Sequence, residues 1–174
     1  MILWLLLNSL GLVAVSIALY LILRQTGFIL RRAGPGGNSA PSGPRVGENL
    51  SFYLSHLWKD ARGERAKLVV FGSESCSICA RIKQGAPELA RRWRHAADIF
   101  LIYDCEQGTD ASDLQALPNG LFFKHDCDLR KRLDTTFVPF GIVMNYRGIV
   151  VGKALADDIS QLQNLLELEQ SQAS

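Results

Sequence analysis

Two cysteines separated by two residues, Cys76-Ser77-Ile78-Cys79, sit in the short polar stretch SESCSIC, residues 73–79. A pair at this spacing serves reversible thiol–disulfide exchange, forms half of a metal site, or acts as a structural staple. The flanking sequence favours the first. Lys67–Phe71 is a short apolar, β-rich run closed by Gly72, and the residues from Cys76 to His95 are mostly helix-compatible. A helix start directs unpaired backbone N–H groups and the positive end of its dipole at Cys76, which stabilises a thiolate there. Thiolates are the nucleophiles of disulfide exchange. Cys79 falls on the same helical face and can close a small disulfide ring with Cys76. Cys76 is therefore expected to attack and Cys79 to resolve the mixed disulfide.

Metal ligation would need further donors from Cys105, Cys127, His56, His95 and His125, because a structural zinc site normally takes four. His125-Asp126-Cys127 offers a pair, but a one-residue gap is not a common finger spacing. A copper- or zinc-holding assembly factor, with Cys76 and Cys79 joined by His125 or Cys127, is the alternative from the binding class. The leading reading assigns no metal and no cofactor. Cys105 and Cys127 leave three possibilities open: buried inert thiols, a second structural disulfide, or an auxiliary redox couple. Glu74 is either a proton acceptor near the pair or a solvated carboxylate.

The elements that must position the pair follow from apolar periodicity. Asp98–Tyr103 reads as a second buried strand, so strand, helix and strand form a βαβ unit whose strands are parallel. Gly85 and Pro87 are expected to kink or interrupt the intervening helix. Next come a helix over 109–117, a short strand at Leu121–Phe123 and a charged helical turn over 127–133. Phe140–Met144 and Gly148–Val151 flank the turn Asn145-Tyr146-Arg147-Gly148, a hairpin in which Gly supplies positive φ. Asp157-Asp158 opens a last helix with Ile159, Leu162, Leu165, Leu166 and Leu168 at helical spacing. Leu50, Leu54, Leu57 and Trp58 are also in helical register. The sum is an α/β domain over residues 48–170 with a central mixed sheet flanked by helices.

The front of the chain is different. Residues 2–23 carry no charge, and about 20 such residues at 1.5 Å rise cross a bilayer core, so residues 1–24 read as an uncleaved transmembrane anchor. Residues 25–47, rich in Gly, Pro and Ser, read as a flexible tether. The net charge of +2 comes from the front: residues 1–45 hold four arginines and no acid, leaving 15 basic and 17 acidic residues in the remainder. Nothing in that near-neutral balance suggests the basic stripe of a nucleic-acid footprint, and Arg91-Arg92-Trp93-Arg94 reads most simply as the solvated face of a helix.

The order strand, CxxC, helix, strand, then Thr136-Phe137-Val138-Pro139 leading into a hairpin resembles the thioredoxin fold. The resemblance implies that Pro139 is cis, that it lies against the cysteine pair, and that the Val138 backbone pairs with an extended client peptide. With the single span, LRQTGFILRRAGP, the Gly/Pro tether and GPRVGENL included, the chain resembles the MauD family, membrane-tethered thioredoxin-like accessory proteins of bacterial methylamine utilisation. That likeness implies Cys76 and Cys79 as the active pair and a role in disulfide formation or isomerisation during maturation of a periplasmic protein, the small (β) subunit of methylamine dehydrogenase. The implied partners are a cysteine-containing periplasmic client, a membrane redox partner and the inner membrane through residues 2–23. Departures from the thioredoxin pattern are Ser75 where Trp usually precedes the first cysteine, Val70 where the strand carries an acid, and Pro87 further along the helix than usual. They make a redox-inactive maturation scaffold a further alternative.

Sidedness divides the signals. Arg24, Arg31 and Arg32 follow the span and no basic residue precedes it, so the positive-inside rule read strictly puts the domain in the cytoplasm. Four cysteines and the resemblance suit an oxidising compartment, and the periplasmic side is the expected one.

Overall fold

Every residue of the runs Ala66–Gly72 (β1) and Ala97–Tyr103 (β2) is buried, the signature of strands covered on both faces. A computed structural model describes residues 43–58, 64–105 and 110–173. The anchor expected over 1–24, and the tether as far as residue 42, lie outside the described residues. Among those described, no helix is long and apolar enough to cross a membrane.

In chain order the domain contains a short helix Ser51–Leu54 (α1), β1, helix Ser77–Trp93 (α2), β2, strand Gln115–Leu117 (β3), strand Leu121–His125 (β4), helix Leu129–Arg132 (α3), strands Phe140–Met144 (β5) and Val150–Leu155 (β6), and helix Ile159–Ala173 (α4). The six strands form one sheet in the order β3-β4-β2-β1-β5-β6. β1, β2 and β4 are parallel, whereas β3 and the β5–β6 pair are antiparallel to their neighbours, giving the mixed sheet expected from a βαβ unit followed by a hairpin.

Period-two alternation sorts the strand side chains between two cores. Leu68 and Val70 of β1 join Ile99, Leu101 and Tyr103 of β2 under α2 and α4, in one cluster with Cys79, Ile82, Leu89, Trp93, Leu162 and Leu166. Val69 and Phe71 point the other way with Phe100, Phe122 and Ile142, and are covered by Leu50, Leu54, Leu57, Leu129 and Leu133. Phe100 and Phe122 stack there at 4.7 Å between ring centroids. The leucines of 50–57 thus bury their helical stripe, although the α-helix itself runs only from Ser51 to Leu54. Contact with the domain reaches back to Gly43, whose N–H donates to the Asp134 carbonyl, and Gly47 N–H donates to that of Val150.

Two expectations need correction. Residues 110–114 form no helix and Gln115–Leu117 is a strand pairing with β4. Leu117 precedes Pro118, which disfavours helical backbone, and its φ of −110° and ψ of 166° are extended. The free edge of β4 then takes up the hydrogen bonds a helix would have made internally. Conversely, α2 runs without a break through Gly85 and Pro87. Pro87 is on the exposed side, and Ile82, Ala86, Leu89, Ala90 and Trp93 anchor the helix to the sheet on both sides of it, so packing overrides local propensity.

The hairpin turn forms as expected. Gly148 has φ +77°, and Asn145 Oδ1 accepts from the N–H groups of Arg147 and Ile149 at 3.0 and 3.1 Å. A Cβ on Gly148 would collide with Ser51 Oγ and the Trp58 ring. Gly148→Ala is expected to destabilise the domain by at least about 1 kcal/mol, combining strained backbone and displaced packing. Denaturant unfolding checks this, and an unchanged midpoint would contradict it.

Candidate active site at the strand ends

Register brings the site together. Gly72, Tyr103 and His125 are the last residues of β1, β2 and β4, and they stand side by side across the sheet. Cys76, Cys105 and Cys127 follow these ends within four residues, so both cysteine pairs emerge on one edge. β5 runs the opposite way and its first residue, Phe140, pairs with Phe71, which puts Val138-Pro139 on that edge too. The Val138–Pro139 peptide bond is cis. Pro139 is buried, its carbonyl accepting from Ala156 N–H at 3.0 Å, while Val138 is partly exposed and Phe137 is 49 % exposed.

Cys76 is the N-cap of α2, with extended backbone (φ −90°, ψ 111°), and its sulfur accepts from Cys79 N–H at 3.1 Å. The two cysteines are joined as a disulfide with Cα atoms 5.2 Å apart. Their exposures differ: Cys76 is partly open to solvent, and Cys79, on the inner face of α2, is 1 % exposed. An incoming thiolate can therefore reach Cys76 but not Cys79, which supplies the asymmetry that exchange needs. Val70, where an acid would be expected, is buried in the same apolar cluster as Cys79.

Charge enters from another direction. Glu74, in the loop before the pair, accepts from Lys83 Nζ at 2.7 Å, and its Oε1 lies 3.3 Å from His125 Nε2. The Lys83 hydrogen bond, with a smaller contribution from His125, holds the Glu74 carboxyl below its ordinary range. Lys83 Nζ lies over the Phe123 ring at 4.5 Å and the Tyr103 ring at 5.0 Å. The Tyr103 hydroxyl donates to the Cys79 carbonyl at 2.8 Å, and burial pushes its ionisation far above the usual tyrosine range, so it stays a donor. Gly72 makes room for this ring: any side chain there would meet the Tyr103 aromatic atoms at 2.8 Å.

Of the residues expected from sequence, Cys76, Cys79, Val138 and Pro139 share the edge, and Glu74 is an ion-pair partner instead of a free carboxylate. Lys83 and Tyr103 were not anticipated. Lys83 was findable, four residues after Cys79 and so on one helical face with it. The proposed metal set is corrected. Cys127 is bonded to Cys105 in a second disulfide with Cα atoms 4.8 Å apart, His125 meets Glu74, and Asp126 accepts from the N–H groups of Asp128 and Leu129 at the start of α3. Burial opposes the Asp126 charge, but these donors and Lys124 outweigh it and hold its carboxyl below the ordinary range. Among the described residues no three His, Cys, Asp or Glu side chains converge as a metal site.

No family model matches the chain. The methylamine utilization protein MauD of Methylobacillus flagellatus is 24% identical over 159 residues, covering 84% of this chain and 75% of the relative. MauD of Methylophilus methylotrophus is 23% identical over 156 residues, covering 84% of this chain and 73% of the relative. Among solved structures, a thiol:disulfide interchange protein DsbE from Chlorobium tepidum superposes with a TM-score of 0.50 at 9% identity, covering 63% of this chain and 80% of that one. The chain is a thioredoxin-fold protein similar to MauD over most of its length.

Proposed function

We propose that this protein is a membrane-anchored thiol–disulfide oxidoreductase that forms or rearranges disulfides in a periplasmic client. The observation that carries the reading is the asymmetric pair: a solvent-reachable Cys76 capping α2, bonded to a buried Cys79, on the edge that also holds the cis Val138–Pro139 bond. A client thiolate attacks Cys76 Sγ, the Cys76–Cys79 bond breaks, and Cys79 leaves as the thiolate. A second client thiolate then attacks the client sulfur of the mixed disulfide and releases Cys76 as its thiolate. Two electrons pass from client to pair, and a membrane redox partner reoxidises the dithiol. Rearrangement begins from the reduced pair, with Cys76 attacking a client disulfide.

Val138 offers its backbone to an extended client segment, which would lie across Cys76. The likeness to MauD supports the small subunit of methylamine dehydrogenase as the client. It also supports residues 1–24 as an inner-membrane anchor with residues 48–170 in the periplasm.

Trapping tests the reading. A Cys79→Ser variant expressed in a host that supplies the client should accumulate mixed disulfides through Cys76, and the Cys76→Ser, Cys79→Ser double variant should accumulate none. Absence of adducts with the single variant would overturn the oxidoreductase reading and favour a scaffold whose cysteines are dispensable.

A further inference from the structure

Opening the disulfide moves negative charge inward. The attacking thiolate is consumed at the partly exposed Cys76, and an equal charge appears on Cys79, whose side chain lies in an apolar cluster with Val70, Ile82 and Tyr103. A thiolate in such a setting is unfavourable unless a cation stands close or a proton arrives. β1 offers neither here, because its cluster-facing residues are Ala66, Leu68 and Val70.

We infer that Lys83, poised by Glu74, is the positioning residue that sets the charge state of Cys79 during exchange. Lys83 follows Cys79 by four residues on α2, so the two side chains share a face roughly 5–6 Å apart at Cβ. The two residues are also linked through Tyr103: its hydroxyl holds the Cys79 carbonyl while its ring lies beneath the Lys83 ammonium at 5.0 Å. The titratable groups around Lys83 are Glu74 from the loop, Tyr103 from β2 and His125 from β4. Glu74 binds Lys83 at 2.7 Å and has His125 on the same oxygen at 3.3 Å.

The division of labour follows from these contacts. The Lys83 ammonium favours the Cys79 thiolate as the disulfide opens, and a proton from water then completes the thiol. The Lys83 side chain is 40 % exposed, so water reaches this corner of the site and partly screens its field. When the pair re-forms, the same steps run backward. Glu74 works against the first step, since its carboxylate claims part of the ammonium's field. Lys83 and Glu74 therefore push Cys79 in opposite directions, a prediction that a merely structural ion pair does not make.

The inference rests on the oxidoreductase reading, but its test needs no client. In full-length protein carrying Cys76→Ser, Cys79 is the free thiol beside an intact Cys105–Cys127 bond, and its thiolate can be titrated by ultraviolet absorbance. Lys83→Met is expected to raise the Cys79 midpoint by about one pH unit, a tenfold loss of thiolate below that midpoint. Lys83→Arg should stay near the parent, and Glu74→Gln should lower the midpoint by about half a unit. An unchanged midpoint in Lys83→Met, or shifts of the same sign in Lys83→Met and Glu74→Gln, would overturn the assignment. Loss of client adducts with the expected Cys79 shifts would instead refute the oxidoreductase reading, and with it the role in exchange, while leaving the effect of Lys83 on the Cys79 thiol in place.

Discussion

Replacing Cys76 with alanine is expected to reduce disulfide transfer to a dithiol peptide by at least about 10³-fold, to the rate of the peptide with small-molecule oxidant alone. The size of the effect follows from access. Cys76 carries the sulfur of the pair that a client can reach, whereas Cys79 is buried on the inner face of α2. Removing Cys79 should have a different signature: attack through Cys76 continues in its reduced form, release from mixed disulfides fails, and adducts build up. Stopped-flow transfer from the oxidised protein checks the first outcome. Mass analysis of quenched samples checks the second. Equal rates for the parent and Cys76→Ala would remove Cys76 from the chemistry.

Converting both Cys105 and Cys127 to serine is expected to lower stability by about 3 kcal/mol, roughly 10 °C in melting temperature, from the closure entropy of a loop with sequence separation 22. The bond ties the exit of β2 to the exit of β4, beside the Asp104–Arg130 ion pair at 2.9 Å. It also holds Cys127 two residues from His125, so the variant loosens the segment that meets Glu74. Disulfide transfer by the oxidised Cys76–Cys79 pair should change little at temperatures where the variant remains folded. Calorimetry with parallel transfer assays separates the roles. An unchanged melting temperature with greatly slowed transfer would identify the second bond as a working redox couple.

How much of this was visible beforehand depends on the range of each interaction. Strand β1, the start of α2 at Cys76 and the Gly148 turn depend on residues near one another in the chain, and all three form where local sequence places them. The helix expected over 109–117 failed because the decisive partner was the edge of β4, not a neighbour within 109–117. The expected break at Pro87 failed because the buried face of α2 had more to gain from the sheet than the proline took away.

Sequence alone determined the chemistry on offer: a CxxC pair with Cys76 at a helix start and Cys79 one turn inward, and a Val-Pro step before a hairpin. These properties follow from capping, periodicity and turn composition, which act over a few residues. Tertiary structure alone decided who meets whom. It paired Cys105 with Cys127, brought Glu74 to His125 across 51 positions, and set Tyr103 beneath Lys83 while bonding it to the Cys79 carbonyl. Such contacts depend on strand order and on register to the residue, where a slip of one position would send Tyr103 to the opposite face of the sheet.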